Sequence, residues 1–428
     1  MSARSSNTRP IDASFHHGDH RQLLVDVPVV EAEPQPVDAL IVPAARPVHW
    51  LRESMALAHE LGCGVVAMCS YSVDAGEVAQ LGDSLDVPVI AVNVAKCQPM
   101  LPALTTKRLL DQKKRFRHGA DTGTKRNLGL VLARVAGWQR VLFLDDDIYA
   151  VDPSHARAAV GLLDQFDVVG MHNQGYPDNS VVCHAGRILG ERQAEFIGAG
   201  AMAVNPTRTR SFFPDIYNED WFFILGNGLP SNIAITGQMK QKRYAPFAVP
   251  DRARREELGD CLAEGLFWLL DHRLPFSHAD IDHWRDFLSR RSYFIDVLIG
   301  RLRDLDVSHP NRQRMAASLA TAQQTFAHIN PSLCRDFIQR WMTDLDVWRS
   351  FIDVAPVGLG AGKALEHLDW SGVVVSDHSW PAAPVDPIRY SNGWIDELPA
   401  SSSQNGASSR AALPPQLSQG PARRRIVR

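Results

Sequence analysis

The stretch Val141-Leu-Phe-Leu-Asp145-Asp146-Asp147-Ile148 decides how this sequence is read. Four apolar residues without polar alternation form a strand buried on both faces, as in the interior of a parallel sheet. Three carboxylates then stop it. In open α/β sheets, the carboxyl ends of strands are where ligands bind. Adjacent like charges repel, and partial burial raises that cost, so a positive partner is expected opposite them. A hard divalent cation, Mg²⁺ or Mn²⁺, suits carboxylate and phosphate oxygens. In an extended run, Asp145 and Asp147 point to one side and Asp146 to the other. Asp145 and Asp147 are therefore the candidate metal or ribose contacts. A solvated acidic turn is the plain alternative.

Working outward, the same alternation recurs. Val37–Ala44, Gly64–Cys69 and Val87–Val94 are short apolar runs that read as strands. Leu51–Leu61 and Lys125–Ala136 carry apolar residues at helical spacing between them. Strands alternating with helices predict a mostly parallel sheet covered on both faces. After about residue 250 the pattern changes to amphipathic helices at 252–270, 279–302, 312–328 and 331–351. The expected organisation is a weakly ordered leader over 1–36, an α/β sheet domain over 37–250, a helical region over 251–378, and a disordered tail over 379–428. Gly358-Leu-Gly-Ala-Gly-Lys363 looks like a phosphate loop only superficially: it misses the Walker spacing, and no clear helix follows it.

Composition bounds the function. The chain of 428 residues is 45% hydrophobic and 22% charged, an ordinary globular balance. Its formal net charge is -3, from 45 basic and 48 acidic residues, so no global preference for nucleic acid is expected. Six scattered cysteines include no C-x-x-C pair and read as reduced thiols, which fits a cytoplasmic protein. Residues 1–22 lack the apolar stretch of a signal peptide, and no run is long enough to cross a bilayer. Peripheral membrane contact stays open. A local basic run (Lys113, Lys114, Arg115, Arg117, Lys125, Arg126) leads into a helix upstream of the aspartates. Such groups, with the amides of a helix N-terminus, bind a diphosphate well. Charge runs are also commonly just solvated faces.

The order of these pieces resembles a known pattern. Arg126-Asn127-Leu128-Gly129, a helix, and then Val141–Ile148 resemble the family 2-like glycosyltransferases of the GT-A fold. Gly198-Ala-Gly200-Ala-Met202, followed by Phe213–Trp221 with its Glu219-Asp220 pair, looks like that family's acceptor segment and Glu-Asp motif. The resemblance covers about residues 37–245. It implies a GT-A sheet domain and transfer of a sugar from a nucleoside-diphosphate sugar to an acceptor hydroxyl. It places the metal on a DxD pair matching Asp145 and Asp147. Donor contacts would come from Arg126 and Asn127 with Lys125, Asp145 and Asp146, and Gly198 and Gly200 would let a sugar approach the backbone. Asp220, with Glu219 beside it, would be the base of an inverting reaction.

Two departures limit the likeness. Cys69-Ser70-Tyr71-Ser72, with Asp74 nearby, stands where the family often has Asp-Asp-Gly-Ser. The processive members' Gln-x-x-Arg-Trp is absent, with only a loose echo in Gln238–Tyr244, which argues against a polymer synthase. Some GT-A enzymes add a histidine ligand late in the catalytic domain; His272, His278 and His283 are the candidates by position. Two rivals remain. A sugar-phosphate nucleotidyltransferase would need a Gly-rich loop where this chain has Pro43-Ala-Ala-Arg46-Pro47. A non-catalytic protein with a degenerate transferase domain is the other.

Overall fold

The computed structural model describes residues 23–97, 100–191, 197–226 and 232–381. Its strands are β1 (Leu24–Asp26), β2 (Ala39–Ala44), β3 (Gly64–Cys69), β4 (Val89–Asn93), β5 (Val141–Leu144), β6 (Ile148–Tyr149), β7 (Val168–Asn173), β8 (Ala201–Val204), β9 (Ile233–Gln241) and β10 (Val373–Val375). The helices of the first half are α1 (Arg52–Leu61), α2 (Ala75–Asp83), α3 (Thr105–Gln112), α4 (Thr122–Ala136), α5 (Pro153–Gly161), α6 (Val181–Ile188) and α7 (Glu219–Gly226). The second half adds α8 (Asp251–Asp271), α9 (Ile281–Leu302), α10 (Arg312–Phe326), α11 (Pro331–Asp353) and α12 (Ala361–Leu368).

The fold is α/β, a mixed and mostly parallel sheet flanked by helices, as the alternating pattern predicts. The strand order is β1-β9-β7-β8-β5-β2-β3-β4-β10, with β6 paired to β9 off this path. β2 runs parallel to β3 and β5, β3 to β4, and β9 to β7 and β1. β8 is antiparallel to both of its neighbours, β5 and β7. That reversal matters for the site. It brings the chain entering β8, with Gly198 and Gly200, to the edge where β5 and β7 end.

Successive strand residues face opposite layers. Accordingly Leu40, Val42, Val65 and Ala67 join one core with helices α1, α2 and α5. Ile41, Val66 and Met68 join the other, with α4, α7, α8 and α11. Gly129 lets α4 lie close on the sheet: a Cβ there would stand 2.6 Å from Ile41 Cγ2. The aromatic helix α7 is core, with Phe222, Phe223 and Ile224 fully buried. Phe222 meets Phe337 and Trp341 of α11 edge-on, at 5.7 and 5.3 Å. The helical half therefore shares the sheet's hydrophobic cluster.

Two buried polar clusters lock that half in place. Asp344 of α11 accepts hydrogen bonds from the backbone N–H and the hydroxyl of both Thr105 and Thr106, at 2.6–2.8 Å, tying down the start of α3. Arg291 of α9 is buried against Glu257, Asp260 and Glu264 of α8, at 2.9–3.1 Å. The spacing of those acids puts them on one face of α8. Burial pushes the Asp260 carboxyl up to about 8, with its two acidic neighbours adding to the shift against the pull of Arg291.

Some expectations need amendment. Part of the stretch read as a leader forms β1, an edge strand parallel to β9; residues 1–22 lie outside the described residues. A helix, α12, does begin within the glycine-rich 358–363 segment, at Ala361. The amides of Leu359 and Gly360 donate to the carbonyls of Val135 and Ala136, so the segment caps α4. The tail from residue 382 onward lies outside the described residues. The six cysteines form no disulfide among the described residues, and five are buried. No helix among the described residues is long and apolar enough to cross a membrane.

Arg291→Met would strip three buried carboxylates of their counter-charge. The expected loss is about 3–5 kcal/mol in chemical denaturation at neutral pH. The deficit should shrink toward pH 5, because protonation then removes the unpaired charges. An unchanged midpoint would show that Arg291 is dispensable.

Candidate active site

The site is built where β5, β7 and β8 meet. Leu144 pairs with Ala201, and the Asp145 amide donates to the Gly200 carbonyl at 2.9 Å. Asp145 therefore leaves the sheet directly opposite Gly200. Its Oδ1 accepts from Arg126 Nη2 at 2.7 Å. The other Nη of Arg126 binds Glu219 at the start of α7. Arg126 is 3% exposed, so its charge is neutralised almost wholly by these two carboxylates. Asp145 Oδ2 accepts no hydrogen bond among the described residues and lies near Gly200.

The three aspartates have three different jobs. Asp146 turns away from Asp145 and accepts from the amides of Ala45 and Arg46, both at 2.9 Å, and from the Arg46 side chain. It fixes the loop after β2. Asp147 accepts from Arg46 Nη2 at 2.8 Å and from Gln241 at 3.5 Å, both through Oδ2. Its Oδ1 makes no hydrogen bond among the described residues. Burial pushes the Asp147 carboxyl up to about 7; Asp145 and Asp178 push the same way, and Arg46 opposes. Burial also raises Asp145, while Arg126 holds it down.

Asp220 faces the same cleft. Its Oδ2 accepts from the Ala199 amide at 3.0 Å, and its Oδ1 from the Trp221 amide at 2.9 Å. A Cβ on Gly198 would stand 2.8 Å from Asp220 Oδ2, so a side chain there would displace the carboxylate. Burial raises both Glu219 and Asp220, and Arg126 pulls each back. Asn218, just before them, is held in the left-handed region with φ 64°. Its side chain donates to Asp260 at 3.0 Å, which links this turn to the Arg291 cluster.

These groups line a cleft of about 660 Å³ that includes Arg126, Asp145, Gly198, Gly200, Glu219 and Asp220. Other predicted residues lie behind it. Lys125 is buried, donating to the Ala44 carbonyl at 2.9 Å and pairing with Asp121 at 3.0 Å. Asn127 exchanges two bonds with the Phe213 backbone, each 2.8 Å, and so fixes the strap that leads to α7. The rest of the basic run, Lys113, Lys114, Arg115 and Arg117, is exposed outside the cleft. His272 is also outside it: it ends α8, with Nδ1 2.7 Å from the Trp268 carbonyl.

Sequence reasoning did not single out Asp178, which lines the cleft and accepts from Tyr244 Oη at 2.9 Å. Buried His184 sets that hydroxyl, with Nε2 2.6 Å away. The available signal was positional: Asp178 follows the carboxyl end of β7, the same edge as Asp145. Nor did the sequence show Arg46 as the partner of Asp146 and Asp147. Among the described residues, one group of three or more potential metal ligands clusters within 4.8 Å: Cys183, Asp260 and Glu264. Arg291 already pairs with both carboxylates of that group.

No family model matches the sequence. No curated protein matches it in sequence. A comparison of structures finds similarity to a mannosyltransferase from Pyrobaculum calidifontis in complex with GDP-Man and Mn²⁺. The two share 14% identity over 76% of this chain and 89% of that chain, with a TM-score of 0.35.

Asn127→Leu should orphan the buried N–H and C=O of Phe213, costing roughly 1–3 kcal/mol for each group. Hydrogen exchange around residues 212–220 should speed up more than in β2 or β3. Uniform acceleration across the sheet would contradict a local anchoring role.

Proposed function

We propose that the chain is a metal-dependent glycosyltransferase of the GT-A type, moving a sugar from a nucleoside-diphosphate sugar to an acceptor hydroxyl. The observation that carries this reading is a strand-end carboxylate facing a cleft beside a second, backbone-held carboxylate, with one buried arginine between them. Asp145 and Asp147 each keep one oxygen without a hydrogen bond among the described residues, and burial pushes both up toward protonation. A donor set of carboxylate oxygens in negative excess fits a hard divalent cation. Bound there, Mg²⁺ or Mn²⁺ would neutralise charge on the donor diphosphate.

The remaining steps belong to the chain. Arg126 holds Asp145 and Glu219 in fixed orientation. The Ala199 amide and the space left by Gly198 orient Asp220 toward the cleft. Asp220 takes the proton of the acceptor hydroxyl as that oxygen bonds to the anomeric carbon. The bond from that carbon to the phosphate oxygen breaks, and the nucleoside diphosphate leaves with the electron pair. Attack opposite the leaving group inverts the anomeric centre. Glu219 is bound to Arg126, which leaves Asp220 as the better base. The domain reading goes with this proposal: residues 37–250 carry the donor and catalytic groups, and residues 251–378 buttress α7.

The test is turnover of UDP-, GDP-, ADP- and dTDP-sugars with and without Mn²⁺. Asp145→Asn should lower turnover by at least about 100-fold with the fold intact. Asp220→Asn should cost about 10²–10⁴-fold while nucleoside-diphosphate binding survives. A base works when ionised, and Asp220 is raised. The acid limb of kcat/KM should therefore lie above the ordinary aspartate value of about 3.9 and disappear in Asp220→Asn. Absence of metal-dependent turnover with all four donors would overturn the proposal.

A further inference from the structure

The cleft that holds Asp220 lies on one side of the strand-end edge. Its walls come from residues 118 to 256, and none from β2, β3, β4 or the loops that follow those strands. Those strands occupy the other side of β5. Asp147 and Arg46, next to the loop after β2, are outside the cleft wall as well. On the transferase reading, on which this inference rests, the Asp220 side is the space the acceptor enters.

Among the described residues, the arginines lining that space other than Arg187 have carboxylate partners. Arg126 is shared by Asp145 and Glu219. Arg252 binds Glu256, and Arg255 reaches Asp251 at 3.4 Å. Arg187 differs. It lines the cleft, and among the described residues its guanidinium makes no hydrogen bond or ion pair; its buried Nε, like those of Arg126 and Arg255, has no hydrogen-bond partner. What holds it is the ring of Tyr176, 5.4 Å from the guanidinium carbon. That ring is fixed in turn: it stacks on buried His184 at 5.5 Å and meets Tyr244 edge-on at 5.0 Å. Arg243, exposed, lies 5.6 Å from the same ring. A guanidinium laid against an aromatic ring is pre-oriented with its fork free, and that fork matches the two oxygens of a carboxylate or phosphate.

We propose that Arg187, oriented by Tyr176, is the binding site for an oxyanion, a phosphate or carboxylate group, carried by the acceptor. Asp220 in the same cleft repels an anion placed beside it, so the anionic group is drawn to Arg187 and the hydroxyl is left to face Asp220. The acceptor class is then a hydroxyl compound bearing one negative group, not a neutral sugar.

The test is calorimetric titration of the full chain with matched probes, in Mn²⁺ and saturating GDP or UDP. Glycerol 3-phosphate is compared with glycerol, and glucuronate with glucose, so that the two arms separate phosphate from carboxylate. In at least one arm the charged member should bind about tenfold or more tighter than its neutral partner. Arg187→Gln should erase that preference and leave GDP and UDP affinity within about twofold; Tyr176→Leu should weaken it by a smaller factor. Equal binding of charged and neutral probes, or of none, would overturn the proposal. So would a tenfold loss of nucleotide affinity in Arg187→Gln, which would move this arginine to the donor. If GDP and UDP fail to bind the wild-type chain, the transferase reading fails separately, and the charge preference at Arg187 is read in their absence.

Discussion

One guanidinium organises the site. Arg126 projects from α4 and divides its donors between Asp145, at the end of β5, and Glu219, at the start of α7. Sheet, helix and the segment carrying Asp220 are thereby held at one point. A buried ion pair of this kind adds little net stability, since desolvation cancels much of the Coulombic gain. What it does is fix geometry: leaving any one of the three charges alone in that environment is costly, so the three parts cannot drift separately.

The surrounding structure keeps that point rigid. Gly129 allows α4 to sit close on β2, and Asn127 grips Phe213 one residue along from Arg126. Phe213 stacks on Phe223 at 4.1 Å, which links the strap to α7. The helical half closes over α7 through Phe337, Trp341 and Phe267. Seen this way, residues far from the cleft in sequence decide how Glu219 and Asp220 are presented.

Much of this was legible in the sequence. The apolar runs at 39–44, 64–69, 89–93 and 141–144 carry no polar alternation, so their burial on both faces followed from composition alone. The four long helices of the second half were readable from their periodicity. Strand order was not, because the antiparallel β8 between two co-directional strands depends on pairings distant in sequence. Within the site, Asp145, Arg126, Glu219 and Asp220 converge in space. The separate role of Asp146 was hidden: alternation assumes an extended run, whereas the Ile148 amide closes a turn on the Asp145 carbonyl, Arg46 pairs with both Asp146 and Asp147, and the amides of residues 45 and 46 wait for Asp146. Asp178 was hidden too, since a lone aspartate in a Pro-Asp-Asn turn reads as ordinary loop chemistry. Lys125 and Asn127 stood within a motif, yet their bonds go to the Ala44 carbonyl, the Asp121 carboxylate and the Phe213 backbone, behind the cleft.

The most direct measurement of the central claim is an anomalous difference map from crystals grown with Mn²⁺ and a nucleoside diphosphate. The account predicts a metal peak against the free oxygens of Asp145 and Asp147, with the diphosphate beside it and Arg126 still bridging Asp145 to Glu219. A map with no peak there, or with the metal only at Cys183, Asp260 and Glu264, would contradict it.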